Sequence, residues 1–189
     1  MRPLALVPLL VLFAAPAAAQ EVNADSLRLE MLGTAPSACV IAPPTVSNAS
    51  NASYAEAGPN SGQVVIGQFV DPQTANPLAS SIDLALPVTC NSSHRLTVRS
   101  GNGGLLRQGG NPAQRQAANR FADFVTYSLT VDWAGQALVA RTDGAAIELV
   151  GADARTGEVG LRIATPAGGG PLTAGRFDDT IVVEFSAAN

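Results

Sequence analysis

Two cysteines and one histidine carry the most specific chemistry in this chain. Cys39 and Cys90 form an even pair, which in an exported protein predicts a disulfide with only one connectivity; two buried free thiols are the alternative. The bridge would close a loop of about fifty residues and stabilise the fold by roughly 4 kcal/mol in the chain-entropy model. His94 follows a polar turn and precedes Arg95, so we expect it at the surface.

These residues do not form a pattern typical of an enzyme or a metal site. One imidazole excludes a His-rich metal site, and a Ser-His-Asp triad would depend on His94 alone. Asp178 and Asp179 are neighbours that would face opposite ways on a strand, so we expect them to shape the start of the last strand. The glycines within 101–104 and 168–170 neither open a helix nor carry a P-loop lysine. We therefore predict no enzymatic activity, no catalytic residues, no metal and no cofactor.

The first nineteen residues are typical of an export signal. Arg2 provides a positive start, residues 4–15 are apolar apart from Pro8, and residues 17–19 are alanines that suit signal cleavage. The apolar run is too short to span a bilayer, which predicts an exported protein without membrane insertion. After cleavage roughly 170 residues would remain, which suits one domain with a sizeable core.

The charge balance argues against a nucleic-acid partner. The chain has 11 basic residues, all of them arginine, against 15 acidic ones, for a net charge of −4. Scattered arginines on a mildly acidic chain do not form the basic stripe that a nucleic acid or an anionic membrane would attract.

Period-two alternation recurs along the chain and predicts strands rather than helices. Residues 45–62 and 100–119 are rich in turn-forming residues and are predicted to be surface loops, and residues 112–122 are the only weak helix candidate. Tyr127 and Trp133 lie on the longest strand candidate and are expected in the core. The strand candidates are residues 26–31, 38–41, 63–70, 81–90, 95–99, 124–133, 147–150, 158–163 and 180–185. Strands at this spacing with Gly/Pro turns indicate an all-β sandwich or barrel.

The last strand candidate, residues 180–185, has no later strand in the sequence to pair with. Alternation places Ile181, Val183 and Phe185 on one face, and Thr180 and Val182 on the other. We therefore expect a strand from another copy of the protein to lie beside it.

A resemblance to a known family is carried by residues 37–40, 86–90, 96–101, 125–132 and 172–183. Together these segments resemble the spore coat U-like domain of archaic chaperone–usher pilus subunits. The most specific parts of the resemblance are two segments taken together: the Val-Thr-Cys segment that ends at Cys90, and the terminal segment of Ala-Gly, an aromatic residue and Asp-Thr within residues 174–180. The similarity covers essentially the whole mature chain.

The resemblance implies an immunoglobulin-like, pilin-type β-sandwich that is incomplete and is completed by donor-strand exchange. A periplasmic chaperone would first lend a strand, and an outer-membrane usher would exchange it for the extension of the next subunit. The implied donor is residues 26–32, with Leu27, Leu29 and Met31 as its inward side chains. The implied acceptor groove lies between the Cys39 strand and the terminal strand. That strand contributes Thr180, Ile181, Val182, Val183 and Phe185. The implied divisions are residues 1–19 (signal peptide), 20–36 (donor extension) and 37–189 (pilin domain).

The function expected from the sequence is a structural subunit of a surface fibre used in adhesion or biofilm formation. The protein would be exported through the periplasm to the cell surface or secreted, with other subunits, the chaperone and the usher as its partners. Three alternatives stay open: a tip adhesin for a carbohydrate or surface, a secreted coat protein without chaperone or usher, and, last, an enzyme. Leu27, Leu29 and Met31 could also form the first strand of their own sheet.

Overall fold

The computed structural model describes residues 28–188, and within them all regular structure is β. The predicted signal peptide and Leu27 therefore lie outside the described residues. The weak helix candidate at residues 112–122 is wrong, because this stretch forms turns and isolated bridges around Pro112. The strands are Cys39–Ile41 (β1), Thr45–Ser50 (β2), Ala52–Gly58 (β3), Ser61–Ile66 (β4), Ser80–Cys90 (β5), His94–Ser100 (β6), Leu105–Arg107 (β7), Phe124–Val125 (β8), Ser128–Trp133 (β9), Gln136–Arg141 (β10), Ile147–Gly151 (β11), Arg155–Thr165 (β12), Phe177–Asp178 (β13) and Ile181–Ala187 (β14).

Two long strands form the centre of the larger sheet. β5 and β12 pair antiparallel over eleven residues, β12 then pairs with β9, and β9 with β10. The other edge of β5 is shared by two short strands, β1 and β2. Pro87 lies where β1 ends and before β2 begins, and its lack of an N–H suits this break in the ladder.

The second sheet has the order β11-β6-β14, and it packs on the larger sheet to form a β-sandwich. Inward side chains alternate along β5, as its sequence predicts: Ile82, Leu84, Leu86 and Val88 are buried, and the residues between them are less buried. The predicted core residues Tyr127 and Trp133 are 4% and 1% exposed. The core therefore lies between the two sheets, and all-β architecture is confirmed.

Residues 45–62, predicted to be a loop, instead form β2, β3 and the start of β4. β2 joins the larger sheet beside β5, and β3 forms a two-stranded sheet with β4. The prediction was wrong because these strands are held by backbone ladders and expose most of their small polar side chains. A positive φ of 52° at Asn51 turns the chain between β2 and β3, and Tyr54 covers the face of Gly62.

Residues 28–35 belong to a separate unit from the sandwich, with the boundary between Ala35 and Pro36. They form no strand, and Leu29 and Met31 are 81% and 97% exposed. Arg28 and Glu30 make an exposed ion pair at 3.5 Å. Across residues 28–188 no helix has the length and apolar character needed to cross a membrane.

Candidate functional site: an open groove beside the last strand

An apolar groove of about 1390 Å³ lies between the edges of the two sheets. One wall is β1, the other is β14, and the floor is β5 with the β3–β4 hairpin beside it. The face of β14 that lines the groove, which the sequence left unsettled, is the one that carries Ile181, Val183 and Phe185. The apolar side chains that line the groove include Cys39, Ile41, Tyr54, Val64, Ile82, Leu84, Leu86, Ile181, Val183 and Phe185.

β14 has one unpaired edge within the described residues, because β6 is its only partner there. The amide of Gly101 donates to the Thr180 carbonyl at 2.7 Å, and the amide of Ala188 donates to the Ser93 carbonyl at 3.2 Å. In an antiparallel ladder the bonded pairs recur every second residue, so the even-numbered residues of β14 bond to β6. The odd-numbered residues therefore direct their backbone N–H and C=O groups away from β6, to the groove side, while their side chains point to the core.

The edge of β1 presents backbone groups to the groove in the same way. Ala42 N donates to the Pro87 carbonyl at 2.8 Å, and Asn91 N donates to the Ala38 carbonyl at 3.0 Å. The even-numbered residues of β1 thus bond to β5, and Cys39 and Ile41 direct their backbone groups to the other side. The groove has hydrogen-bonding edges on both walls and an apolar floor, which is the arrangement that accepts an added strand.

The predicted disulfide between Cys39 and Cys90 is present and fastens the β1 wall. Its S–S distance is 2.06 Å, and the two Cα atoms are 4.1 Å apart. The cysteines face each other across the β1–β5 ladder at a non-hydrogen-bonded position, where antiparallel strands come closest. Because β1 has only three residues and so a short ladder, this covalent bond is an important part of what holds it to β5.

Asp179 fixes the start of β14. One carboxylate oxygen accepts from the amides of Asn102 and Thr180 at 2.8 and 2.7 Å, and the other accepts from the Tyr127 hydroxyl at 2.8 Å and from the Ser100 hydroxyl. Burial, together with the nearby carboxylate, raises the pKa of Tyr127. The expectation that this acidic pair shapes the start of the last strand agrees with these contacts for Asp179, whereas Asp178 contributes its backbone carbonyl.

An aromatic cluster holds the far end of β14, and it includes His94. The prediction of a surface histidine was wrong: His94 is fully buried. Its Nε2 accepts from the Trp133 indole N–H at 2.9 Å, and its Nδ1 lies 2.9 Å from the Ser92 carbonyl, so the neutral tautomer protonated at Nδ1 satisfies both contacts. The Phe185 ring packs 5.7 Å from the His94 ring and 5.6 Å from the Trp133 ring, between centroids.

A comparison with known protein families identifies the family of this β-sandwich. Residues 29–184 match the family model described as the Spore Coat Protein U domain. The chain belongs to the spore coat protein U domain family. No curated protein matches the sequence. A solved structure described as "Chaperone-tip adhesin complex is vital for synergistic activation of CFA/I fimbriae biogenesis" resembles this chain with a TM-score of 0.42 and 16% identity. The similarity covers 73% of this chain and 43% of that chain.

One cluster in this spore coat U domain has the residue types of a metal site. Ligand atoms of Cys39, Cys90 and His94 lie within 4.8 Å of one another. Metals bind the thiolate form of cysteine, and both sulfurs here are consumed by the disulfide. The Nε2 lone pair of the imidazole is engaged by Trp133. The cluster is therefore structural in the oxidised protein.

The structure places several of the predicted site residues of this spore coat U domain along the groove. Ile181, Val183 and Phe185 line one wall of the groove, Cys39 lines the other, and Val182 turns to the opposite face of β14. Thr180, predicted within the strand, lies just before it. The donor assignment of Leu27, Leu29 and Met31 stays a prediction.

Two residues that support the groove, His94 and Tyr54, were not predicted from the sequence. His94 was missed because a single histidine after Ser-Ser looks like part of an exposed turn, although its alternation with Leu96 and Val98 placed it on the buried face of β6. Tyr54 was missed because it lies in a stretch of small polar residues.

Proposed function

We propose that this chain is a structural subunit of a chaperone–usher surface pilus that polymerises by donor-strand complementation. In this proposal residues 1–19 direct export, residues 20–36 are the donor extension, and residues 37–189 form the domain that accepts a donor. The observation that carries the proposal is the apolar groove whose β14 wall has an unpaired backbone edge.

An open groove of this kind needs a cover. An unpaired ladder edge beside exposed apolar surface is a template for aggregation, and soluble proteins protect such edges. An added strand meets both needs at once, because its backbone pairs with the edge while every second side chain fills the apolar space. The walls suit this role, since β1 is fastened by the disulfide and β14 is held at both ends.

The extension before the domain has the pattern that the groove requires. Leu27, Leu29 and Met31 alternate with polar residues. Leu29 and Met31 are almost fully exposed, so their transfer into an apolar groove would be favourable by roughly 1.5–3 kcal/mol for each side chain. The same pattern in a second copy would extend the chain of subunits one by one.

The proposed partners follow from this mechanism. Before assembly a periplasmic chaperone would occupy the groove with a strand of its own, and an outer-membrane usher would then allow the next subunit's extension to replace it. The finished fibre at the cell surface would serve adhesion or biofilm formation. The disulfide would form in the oxidising periplasm and fix β1 before the exchange.

Substitution on the two faces of the extension tests the proposal in the full-length exported protein. Leu29→Asp puts a charge on the face that enters the groove, and we expect it to abolish self-association in sedimentation and fibres in electron micrographs. Ser26→Asp puts the same side chain on the opposite face of the extension and is the matched control, which should still assemble. Assembly of Leu29→Asp at the rate of the unmodified protein would contradict the proposal.

A peptide experiment gives a second measurement. A synthetic peptide of residues 22–35 should bind the chain that lacks residues 20–33 and raise its melting temperature. The same peptide with Leu29→Asp should bind more weakly. The truncated domain must first show a cooperative unfolding transition, and a folded domain that ignores the peptide would argue against the donor assignment.

A further inference from the structure

The outer face of the β11-β6-β14 sheet carries charges of alternating sign. Glu148 on β11 pairs with Arg95 on β6 at 2.6 Å. Arg99 follows on the same face of β6, and Glu184 lies on the same face of β14, opposite Thr97. Within the described residues Glu184 makes no ion pair, and it is the only charged side chain of β14. A strand added beside β14 would therefore meet one unpaired carboxylate on this face.

We infer that the donor of a second copy runs antiparallel to β14 with Arg28 opposite Glu184, an inference that rests on the proposed function. This register places Leu27 opposite Phe185, Leu29 opposite Val183 and Met31 opposite Ile181. All three apolar residues of the donor then meet the three apolar residues that line the groove. On the outer face, Arg28 continues the alternation of charge.

Other antiparallel registers fit less well. A shift by one residue turns the apolar side chains of the donor to the solvent. A shift by two in one direction places Glu30 opposite Glu184, and like charges directly opposite each other destabilise a sheet. A shift by two in the other direction places Met31 opposite Asp179, whose carboxylate is already engaged by Tyr127 and by backbone amides.

The antiparallel direction is favoured by the same matching. In a parallel arrangement with Arg28 beside Glu184, Met31 would lie beside Ala187 at the end of β14. Asp25 would then lie beside Ile181, so a carboxylate would replace a methionine at the apolar start of the groove. Burying an unpaired carboxylate is costly, whereas the antiparallel arrangement buries none.

The register makes a geometric prediction that can be tested by cross-linking. Odd-numbered residues of β14 would bond to the donor, so Arg28 and Glu184 would form a non-hydrogen-bonded pair with Cα atoms about 4.5 Å apart. Cys39 and Cys90 occupy the same kind of position, and their Cα atoms are 4.1 Å apart. Cysteines introduced at 28 and 184 should therefore cross-link without distortion.

The experiment uses the full-length exported protein with pairs of introduced cysteines. Arg28→Cys with Glu184→Cys should give a ladder of covalent multimers on non-reducing gels, with the 28–184 link identified by mass spectrometry. Glu30→Cys with Glu184→Cys is the matched control and should give few multimers. For direction, Ser26→Cys with Ser186→Cys should cross-link, whereas Ser26→Cys with Val182→Cys should not.

The outcomes separate the register from the proposed function. Fibres that form while the links join 30 to 184, or 26 to 182, would overturn the register and leave the function standing. A 28–184 link within a single chain would overturn the pairing between copies. Protein that stays monomeric with an empty cross-linking pattern, and in which Leu29→Asp changes nothing, would overturn both.

A charge exchange gives an independent measurement. Arg28→Glu and Glu184→Arg should each weaken self-association, roughly two- to five-fold as for other exposed ion pairs, and the double exchange should restore it. The loss should shrink in high salt, because exposed charges are screened. Restoration of assembly by the double exchange supports the pair, and additive losses would overturn it.

Discussion

Both sheets of the sandwich have edge strands whose outer side is unpaired among the described residues, and two of them, β10 in the larger sheet and β14 in the smaller, differ sharply. β10 exposes most of its side chains, with Val139 70% exposed, and none of its residues lines the groove. β14 turns Ile181, Val183 and Phe185 toward the core beside an apolar cavity. The comparison teaches that an open ladder is not sufficient to mark a docking site. The edge that can accept a strand is the one whose apolar side chains line an open groove.

Removal of the disulfide that fastens the β1 wall of the groove should have the largest effect on the free energy of unfolding. Replacing both Cys39 and Cys90 with alanine removes a cross-link over 51 residues, and we expect unfolding to become easier by about 4 kcal/mol in the chain-entropy model. Denaturant unfolding of the oxidised protein and the double variant measures the difference. A loss below about 1 kcal/mol would show that β1 is held by its ladder alone.

Truncation of an apolar residue on each edge strand contrasts the two edges directly. Phe185→Ala removes the ring that packs on His94 and Trp133, and we expect a loss of about 3 kcal/mol, the lower end for a large core residue because Phe185 is half-buried. Val139→Ala on β10 should change stability by less than about 0.5 kcal/mol. Equal losses for the two variants would remove the distinction between the edges.

The role of Asp179 in holding the start of β14 can be tested by substituting it and its neighbour Asp178. Asp179→Ala removes an acceptor of four hydrogen bonds and should cost about 2 kcal/mol, because the buried Tyr127 hydroxyl loses its partner. Asp178→Ala leaves the backbone carbonyl that accepts from Asn102 and is the matched control. Thermal unfolding of the pair measures the contrast, and a control as unstable as Asp179→Ala would mean that the turn, not the carboxylate, holds the strand.

The smallest expected effect depends on pH. Burial and Asp179 raise the pKa of Tyr127 in the folded protein, so the phenol ionises first in the unfolded chain, near pH 10. This contribution to stability is constant below that pH and decreases as the pH rises above it, by about 0.8 kcal/mol at half a unit above the ordinary phenol pKa. Urea unfolding between about pH 9 and 11 should show a flatter slope for Tyr127→Phe, and an unchanged slope would contradict the assignment.

The sequence predicted those strands in which apolar and polar side chains alternate with the two-residue period of the backbone. β5 and β14 could be recognised because burial on one face forces alternation, and Cys39 and Cys90 because export and an even count predict a bridge. β2 and β3 could not be recognised, because backbone hydrogen bonds hold them in place. Most of their side chains are exposed, so the sequence shows no alternation between a buried and an exposed face.

The supports of the groove were harder to predict than its walls. Asp179 and Tyr127 are 52 residues apart and meet only through the packing of the two sheets. His94 and Trp133 are 39 residues apart in the sequence. No local pattern could therefore predict that the His94 imidazole accepts a hydrogen bond within the core. Contacts of this kind depend on register and sheet order, which local patterns do not determine.

The cross-strand disulfide has a mechanical consequence. In the fibre proposed above, a pull along the axis would load the edge strands of each copy first, and a strand of three residues would peel away one hydrogen bond at a time. The covalent link between β1 and β5 passes that tension into an eleven-residue strand paired along its full length with β12, where the bonds must shear together rather than in sequence.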